Sequence, residues 1–237
     1  MSESFFGQDL EIGTAELQLP DKLREPLREH LENLREQFVA MNWARRVGFG
    51  ARPAVVVIDL ALNWTRSDTQ MGSNLDPVVE ATCSILAAAR NAQVPIFFSS
   101  YDFDPEQLPG LSARKSQSDL KREDASLFDL DPRLGRLPNE KVFSKRSASC
   151  FKGTHLQDML TALNVDTLIV SGVSTSHCVY ATCRDACDAF RVIIPREAVG
   201  ERCQVMHWVN LLDLDVDVGD VLPVDEVLAY LNKLPSN

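Results

Sequence analysis

The chain has 237 residues, 45% hydrophobic and 24% charged, with a formal net charge of −10 at pH 7. This is ordinary globular composition, long enough for one sizeable domain, and its acidic balance argues against a nucleic-acid surface. Six cysteines without paired C-x-x-C spacing are too few for a disulfide scaffold and fit a reducing compartment. MSESFFGQDLEIG lacks a basic region followed by an apolar core, and no apolar run reaches spanning length, so a cytoplasmic protein without membrane contact is expected.

Residues 1 to about 18 are polar and aperiodic and read as an arm. From Leu19 to Ala44 the side chains Leu23, Leu27, Leu31, Leu34 and Phe38 recur at helical spacing, opened by Pro20 and Asp21. Residues 1–48 are therefore expected as an arm and helix appended to a main domain over 49–237. Ala54 to Ile58 is a continuous apolar, mostly β-branched run, suited to a strand buried on both faces of a parallel sheet. Asp76-Pro77 opens a helix, with the aspartate as cap. Val94 to Ser99 is the next strand, and 101–139 is an irregular stretch rich in Pro, Ser and charge. Its basic residues Arg114, Lys115, Lys121 and Arg122 are interleaved with acids and read as a solvated face.

The remainder alternates: strand 141–144, helix 156–163, strand 166–170, helix 179–190, strand 192–195 and a closing helix 223–234. Such alternation indicates an α/β fold, a doubly wound, mostly parallel sheet with helices on both faces. In these sheets ligands sit outside the carboxyl ends of the strands. Asp59 ends one strand, Lys145 follows another, and Cys178 follows a third. Three reactive groups from distant sequence thus fall on one sheet edge. Each also has a plain alternative: a turn cap, a surface lysine, a core thiol. A carboxylate ending an apolar run is nevertheless costly to bury unless paired or working. A cysteine entering a helix from a Gly/Ser/Thr-rich turn meets unpaired N–H groups and the positive end of the helix dipole. These favour thiolate and can bind an oxyanion.

Three stretches carry a resemblance: Ile58-Asp59 at the end of the apolar strand, Lys145-Arg146-Ser147-Ala148-Ser149-Cys150-Phe151, and Gly172-Val173-Ser174-Thr175-Ser176-His177-Cys178-Val179. The last two fit K-x-x-x-S-x-F and G-x-x-T-x-x-C-V, and the chain resembles the isochorismatase-like cysteine hydrolases over residues 50–205. The family often carries Asp-x-Gln-x-Asp-Phe after the first strand, where this chain has Asp59-Leu60-Ala61-Leu62-Asn63-Trp64, so the substrate-facing wall differs. Within the family it looks most like the N-carbamoylsarcosine amidase subgroup, through Trp64-Thr65-Arg66, Arg196 to Arg202, and the tail from Asn210 to Val221.

The resemblance implies Cys178 as nucleophile toward a primary amide or ureido carbonyl, and Asp59 as the group that takes its proton and returns it to departing ammonia. Lys145 would favour thiolate and orient the carboxylate. The backbone N–H groups of Ser174 and Cys178 would form the oxyanion hole, with a cis bond between Val173 and Ser174. Water would then hydrolyse the thioester. Thr175 is marked as substrate-binding. Arg202 would hold a substrate carboxylate or is a surface arginine, and Trp64 lines the pocket or fills the core beside it. No cofactor is implied. The partners expected are a small amide or ureido substrate and further copies of the chain, as a dimer or tetramer.

Metal-binding relatives use an aspartate and histidines after the first strand, and no histidine lies between Asp59 and Gln93. Asp213, Asp215, Asp217 and Asp220 resemble a calcium loop only briefly, since Val218 and Val224 occupy its Gly and Glu positions. His177, next to Cys178, reads as structural. Maleamate or biuret/triuret hydrolysis is the alternative within the family. Isochorismate-type vinyl-ether hydrolysis and a non-catalytic scaffold are the alternatives of other kinds.

Overall fold

β-Branched and aromatic runs become strands here because both faces of the sheet are covered. In a computed structural model, which describes residues 4–7, 12–102 and 122–235, the run Pro53–Ile58 forms β1 with all six residues buried. Ile96–Tyr101 forms β2, Lys141–Lys145 β3, Thr167–Val173 β4, Arg191–Pro195 β5, Val199–Gly200 β6 and Asp220–Leu222 β7. Hydrogen-bonded order is β3-β2-β1-β4-β5-β7, with β6 beside β4, and every pairing is parallel. The doubly wound expectation is met.

Strand alternation divides the core. Ala54, Val56 and Ile58 pack with helix residues Leu31, Leu156, Leu160, Cys183, Trp208 and Leu211 on one face. Val55 and Val57 pack with Val78, Ile85, Leu86, Val227 and Leu231 on the other. The first set comes from α1 (Asp21–Ala40), α4 (Leu156–Ala162), α5 (Tyr180–Ala186) and α6 (Gln204–Asp217). The second comes from α3 (Asp76–Asn91) and α7 (Val224–Leu231); a one-turn α2 (Leu62–Thr65) follows β1. Each fully buried Val, Leu or Ile contributes about 1.5–3 kcal/mol relative to an exposed one. No helix among the described residues is long and apolar enough to cross a membrane.

Three expectations change, and one stretch that had no assigned element gains two. The 210–221 tail is helix α6 followed by β7. Its Asp215 is buried against Arg35 of α1 at 2.7 Å, while Asp220 accepts the N–H groups of Val47 and Gly48; these aspartates tie elements together. Asp76 is the first residue of α3, after Leu75 as cap, and its carboxylate pairs with Arg133 at 2.5 Å instead of capping the helix. The helix expected from 179 is a π-helical turn, Thr175–Val179, running into the shorter α5. The stretch expected as irregular over 101–139 contains short 3-10 helices at Arg122–Phe128 and Pro132–Leu134; residues 103–121, with Arg114, Lys115 and Lys121 of the basic patch, lie outside the described residues, as does the Arg122 side chain.

Candidate active site

The chain runs outward from β1 to β2 and β3, then returns to β4, β5 and β7, so the topological switch lies between β1 and β4. Their carboxyl ends are in register, Ile58 beside Gly172. A Cβ on Gly172, at φ +115°, would stand 2.0 Å from the Ile58 carbonyl oxygen. Glycine therefore lets the two strands approach at the point where each delivers a polar residue. Asp59 follows at once with φ +52°, a left-handed turn that aspartate tolerates better than most residues. Its N–H donates to the Ser99 carbonyl at 3.1 Å.

The three candidate reactive groups meet there. Lys145 Nζ, from the end of β3, lies 2.7 Å from Asp59 Oδ2 and 3.4 Å from Cys178 Sγ. Lys145 Nζ also donates to the Ser147 carbonyl at 3.2 Å, and Ser99 Oγ donates to Asp59 Oδ1 at 2.8 Å. Exposure is 3% for Asp59, 2% for Lys145 and 8% for Cys178, so all three are buried and the charges are shielded from solvent.

Burial works against the Lys145 charge, but the Asp59 carboxylate outweighs it, and the lysine is held above its ordinary range as an ammonium. Burial also pushes the Cys178 thiol well above its ordinary value. Asp59 adds to that rise and Lys145 offsets only part of it. Burial is the first cause of that rise and Asp59 the second, so both oppose the thiolate that Lys145 favours. Chemically the set is a thiol and a carboxylate held together by one ammonium that contacts both.

The turn that carries Cys178 is anchored by Thr175 and by two residues that the sequence alone did not single out, His207 and Glu201. The Thr175 hydroxyl, fully buried, donates to the Gly200 carbonyl at 3.0 Å and lies 2.9 Å from His207 Nδ1. Thr175 was expected to bind substrate; its hydroxyl is instead committed inside the protein. Burial holds the His207 imidazole neutral, lowered to about 4. Glu201, 2% exposed, accepts from Ser176 N–H and Ser176 Oγ. The Val173–Ser174 peptide is cis, as the resemblance implied. Ser99 was legible as a polar residue closing an apolar strand; the roles of Glu201 and His207 depend on contacts of the 175–179 turn with the loop after β6 and with α6.

Trp64 is half-buried. The exposed Arg202 lies over its ring with Cζ 6.0 Å from the centroid, so these two residues of distant sequence are brought together. A separate cavity of about 430 Å³ opens beside the β2–β3 edge, lined by Ser100, Tyr101, Asp102, Phe128, Arg136 and Ser144 among others. None of Asp59, Lys145 and Cys178 lines it.

The isochorismatase domain family model matches residues 53–225. The chain is 36% identical over 200 residues to N-carbamoylsarcosine amidase from Arthrobacter sp., across 81% of this chain and 75% of that protein. It is 32% identical over 198 residues to maleamate amidohydrolase from Pseudomonas putida, across 81% of this chain and 92% of that protein. A solved cysteine hydrolase from Pseudomonas syringae shares the fold with a TM-score of 0.72 at 20% identity, across 81% and 98% of the two chains. With its switch-point site and this match over most of its length, the chain belongs to the isochorismatase family.

Proposed function

We propose that the protein is a cysteine amidohydrolase that releases ammonia from a small carbamoyl or amide compound bearing a carboxylate, N-carbamoylsarcosine first. The observation that carries this reading is the Lys145 ammonium bridging the Asp59 carboxylate at 2.7 Å and the Cys178 sulfur at 3.4 Å. The named substrates of both relatives, N-carbamoylsarcosine and maleamate, pair a primary amide or ureido group with a carboxylate.

As Cys178 Sγ bonds to the carbonyl carbon, its proton passes to Asp59, and negative charge develops on the carbonyl oxygen. The N–H groups of Ser174 and Cys178 are the proposed donors to that oxygen. Collapse breaks the C–NH₂ bond, and Asp59 returns the proton to the leaving amine, giving ammonia and an acyl-cysteine. Lys145 keeps its charge throughout, so Asp59 shuttles a proton without leaving a bare buried carboxylate. Water, deprotonated by Asp59, then attacks the thioester carbonyl, and Asp59 returns that proton to the departing Cys178 sulfur. From N-carbamoylsarcosine the product is a carbamate, which loses carbon dioxide to leave the amine. Arg202 beside Trp64 is the proposed carboxylate anchor, a role suited to a planar, bidentate donor. A cytoplasmic homo-oligomer is part of the same proposal.

Ammonia release from N-carbamoylsarcosine, maleamate, biuret, triuret and nicotinamide tests it, with Cys178→Ala alongside. Release from a carboxylate-bearing substrate, abolished in Cys178→Ala, is expected. Release only from neutral substrates would remove Arg202 from the site, and release that survives Cys178→Ala would remove the cysteine mechanism.

A further inference from the structure

Arg202 is held by its backbone. Its N–H donates to Glu201 Oε1 at 3.0 Å. Its carbonyl accepts the Thr14 N–H at 3.1 Å, with the Thr14 hydroxyl at 3.5 Å. Among the described residues no carboxylate pairs with its guanidinium, which lies over Trp64. The other Glu201 oxygen, Oε2, accepts from the Ser176 N–H at 3.1 Å and from Ser176 Oγ at 2.6 Å. One buried carboxylate thus divides its two oxygens between the turn that carries Cys178 and the loop that carries Arg202.

The N-terminal arm braces the far side of that loop. Gly13 exchanges backbone hydrogen bonds with Asn74 at 2.9 and 3.1 Å. A Cβ on Gly13 would meet the Arg202 carbonyl oxygen at 2.6 Å, so the arm lies directly on it. If Glu201 only satisfied a buried charge, any set of donors would serve. Here the donors come from the two elements whose separation sets the reach between a scissile carbonyl and a carboxylate anchor.

We propose that Glu201 is a positioning residue that fixes Arg202 relative to Cys178, with Thr14 of the arm bracing the same loop, and so selects substrates by the distance between amide carbon and carboxylate. The proposal rests on the reading of Arg202 as anchor. Displacement of the anchor by even about 1 Å lowers productive binding sharply.

The test measures kcat and KM with N-carbamoylsarcosine and with 1,1-dimethylurea, which keeps the ureido group and lacks the carboxylate. Wild type, Glu201→Gln, Arg202→Ala and the double variant are compared. Glutamine keeps the shape but offers one acceptor where two are used, leaving a backbone N–H unpartnered. Glu201→Gln is expected to raise KM for N-carbamoylsarcosine about tenfold, the effect of one lost hydrogen bond. It should raise KM no further in the Arg202→Ala background, and any loss of kcat through the nucleophile turn should be equal for the two substrates, so that KM rises for N-carbamoylsarcosine alone. Equal rises in KM in both backgrounds and with both substrates would make Glu201 merely structural and overturn the proposal. If Arg202→Ala leaves KM unchanged, the anchor reading fails and this proposal falls with it; a raised KM in Arg202→Ala with additive Glu201→Gln overturns the coupling alone. Should Glu201→Gln not fold, Thr14→Pro removes both the N–H and the hydroxyl that the arm offers the Arg202 carbonyl. A KM rise that vanishes in Arg202→Ala supports the proposal, and an unchanged KM overturns it.

Discussion

Asp59 and Lys145 each stand where a lone charge would be costly to bury, and their pairing offsets that cost. A buried carboxylate without its cation is an uncompensated charge. Lys145→Met should therefore destabilise the fold by about 3–5 kcal/mol, as read by urea denaturation, while Asp59→Asn with Lys145→Met should recover part of the loss. Full stability in Lys145→Met would show that Asp59 needs no partner. The thiol behaves in a related way. Because burial and Asp59 raise Cys178 above its ordinary value, only a small thiolate fraction exists at neutral pH. Below the thiol pKa that fraction grows with each pH unit, so iodoacetamide labelling of Cys178, followed by peptide mapping, should still accelerate between pH 8 and 10. A plateau below pH 8 would mean that Lys145 outweighs the carboxylate.

Elements matter because the reactive groups sit at strand ends whose spacing is set by backbone contact. Gly172 lies against Ile58 so closely that any Cβ would displace one strand. Gly172→Ala should lower kcat/KM by about 100-fold, since misplacement near 1 Å is enough; activity near wild type would show that the β1–β4 contact does not set the site. Much of this level was legible in sequence. β1, β2, β4 and β5 are buried on both faces and so appear as unbroken apolar runs, and the polar residues closing them stand out. Lys145 emerged from two signals, a strand ending beside the others and its place at the head of the K-x-x-x-S-x-F stretch. α6 was obscured by its aspartates, which look like an acidic loop until Asp215 is seen paired with Arg35. β6 and β7, two and three residues long, are too short to carry a periodic signal. Thr175 was misread for a similar reason: the motif gives its position, but only the packing of α6 brings His207 to its hydroxyl.

Across the whole molecule, the chain's reversal between β1 and β4 explains why residues 59, 145 and 178 converge. The first half of the sheet supplies carboxylate and lysine, and the second half supplies the nucleophile turn and the Arg202 loop. The N-terminal arm, distant in sequence, reaches the same edge through Gly13 and Thr14. The most direct measurement is intact-protein mass spectrometry of enzyme quenched in acid during turnover of N-carbamoylsarcosine, followed by peptide mapping. Attack by Cys178 gives an adduct equal to substrate minus ammonia on the Cys178 peptide, absent in Cys178→Ala. Turnover with no adduct on Cys178, or with one on another residue, would contradict the assignment of Cys178 as the nucleophile.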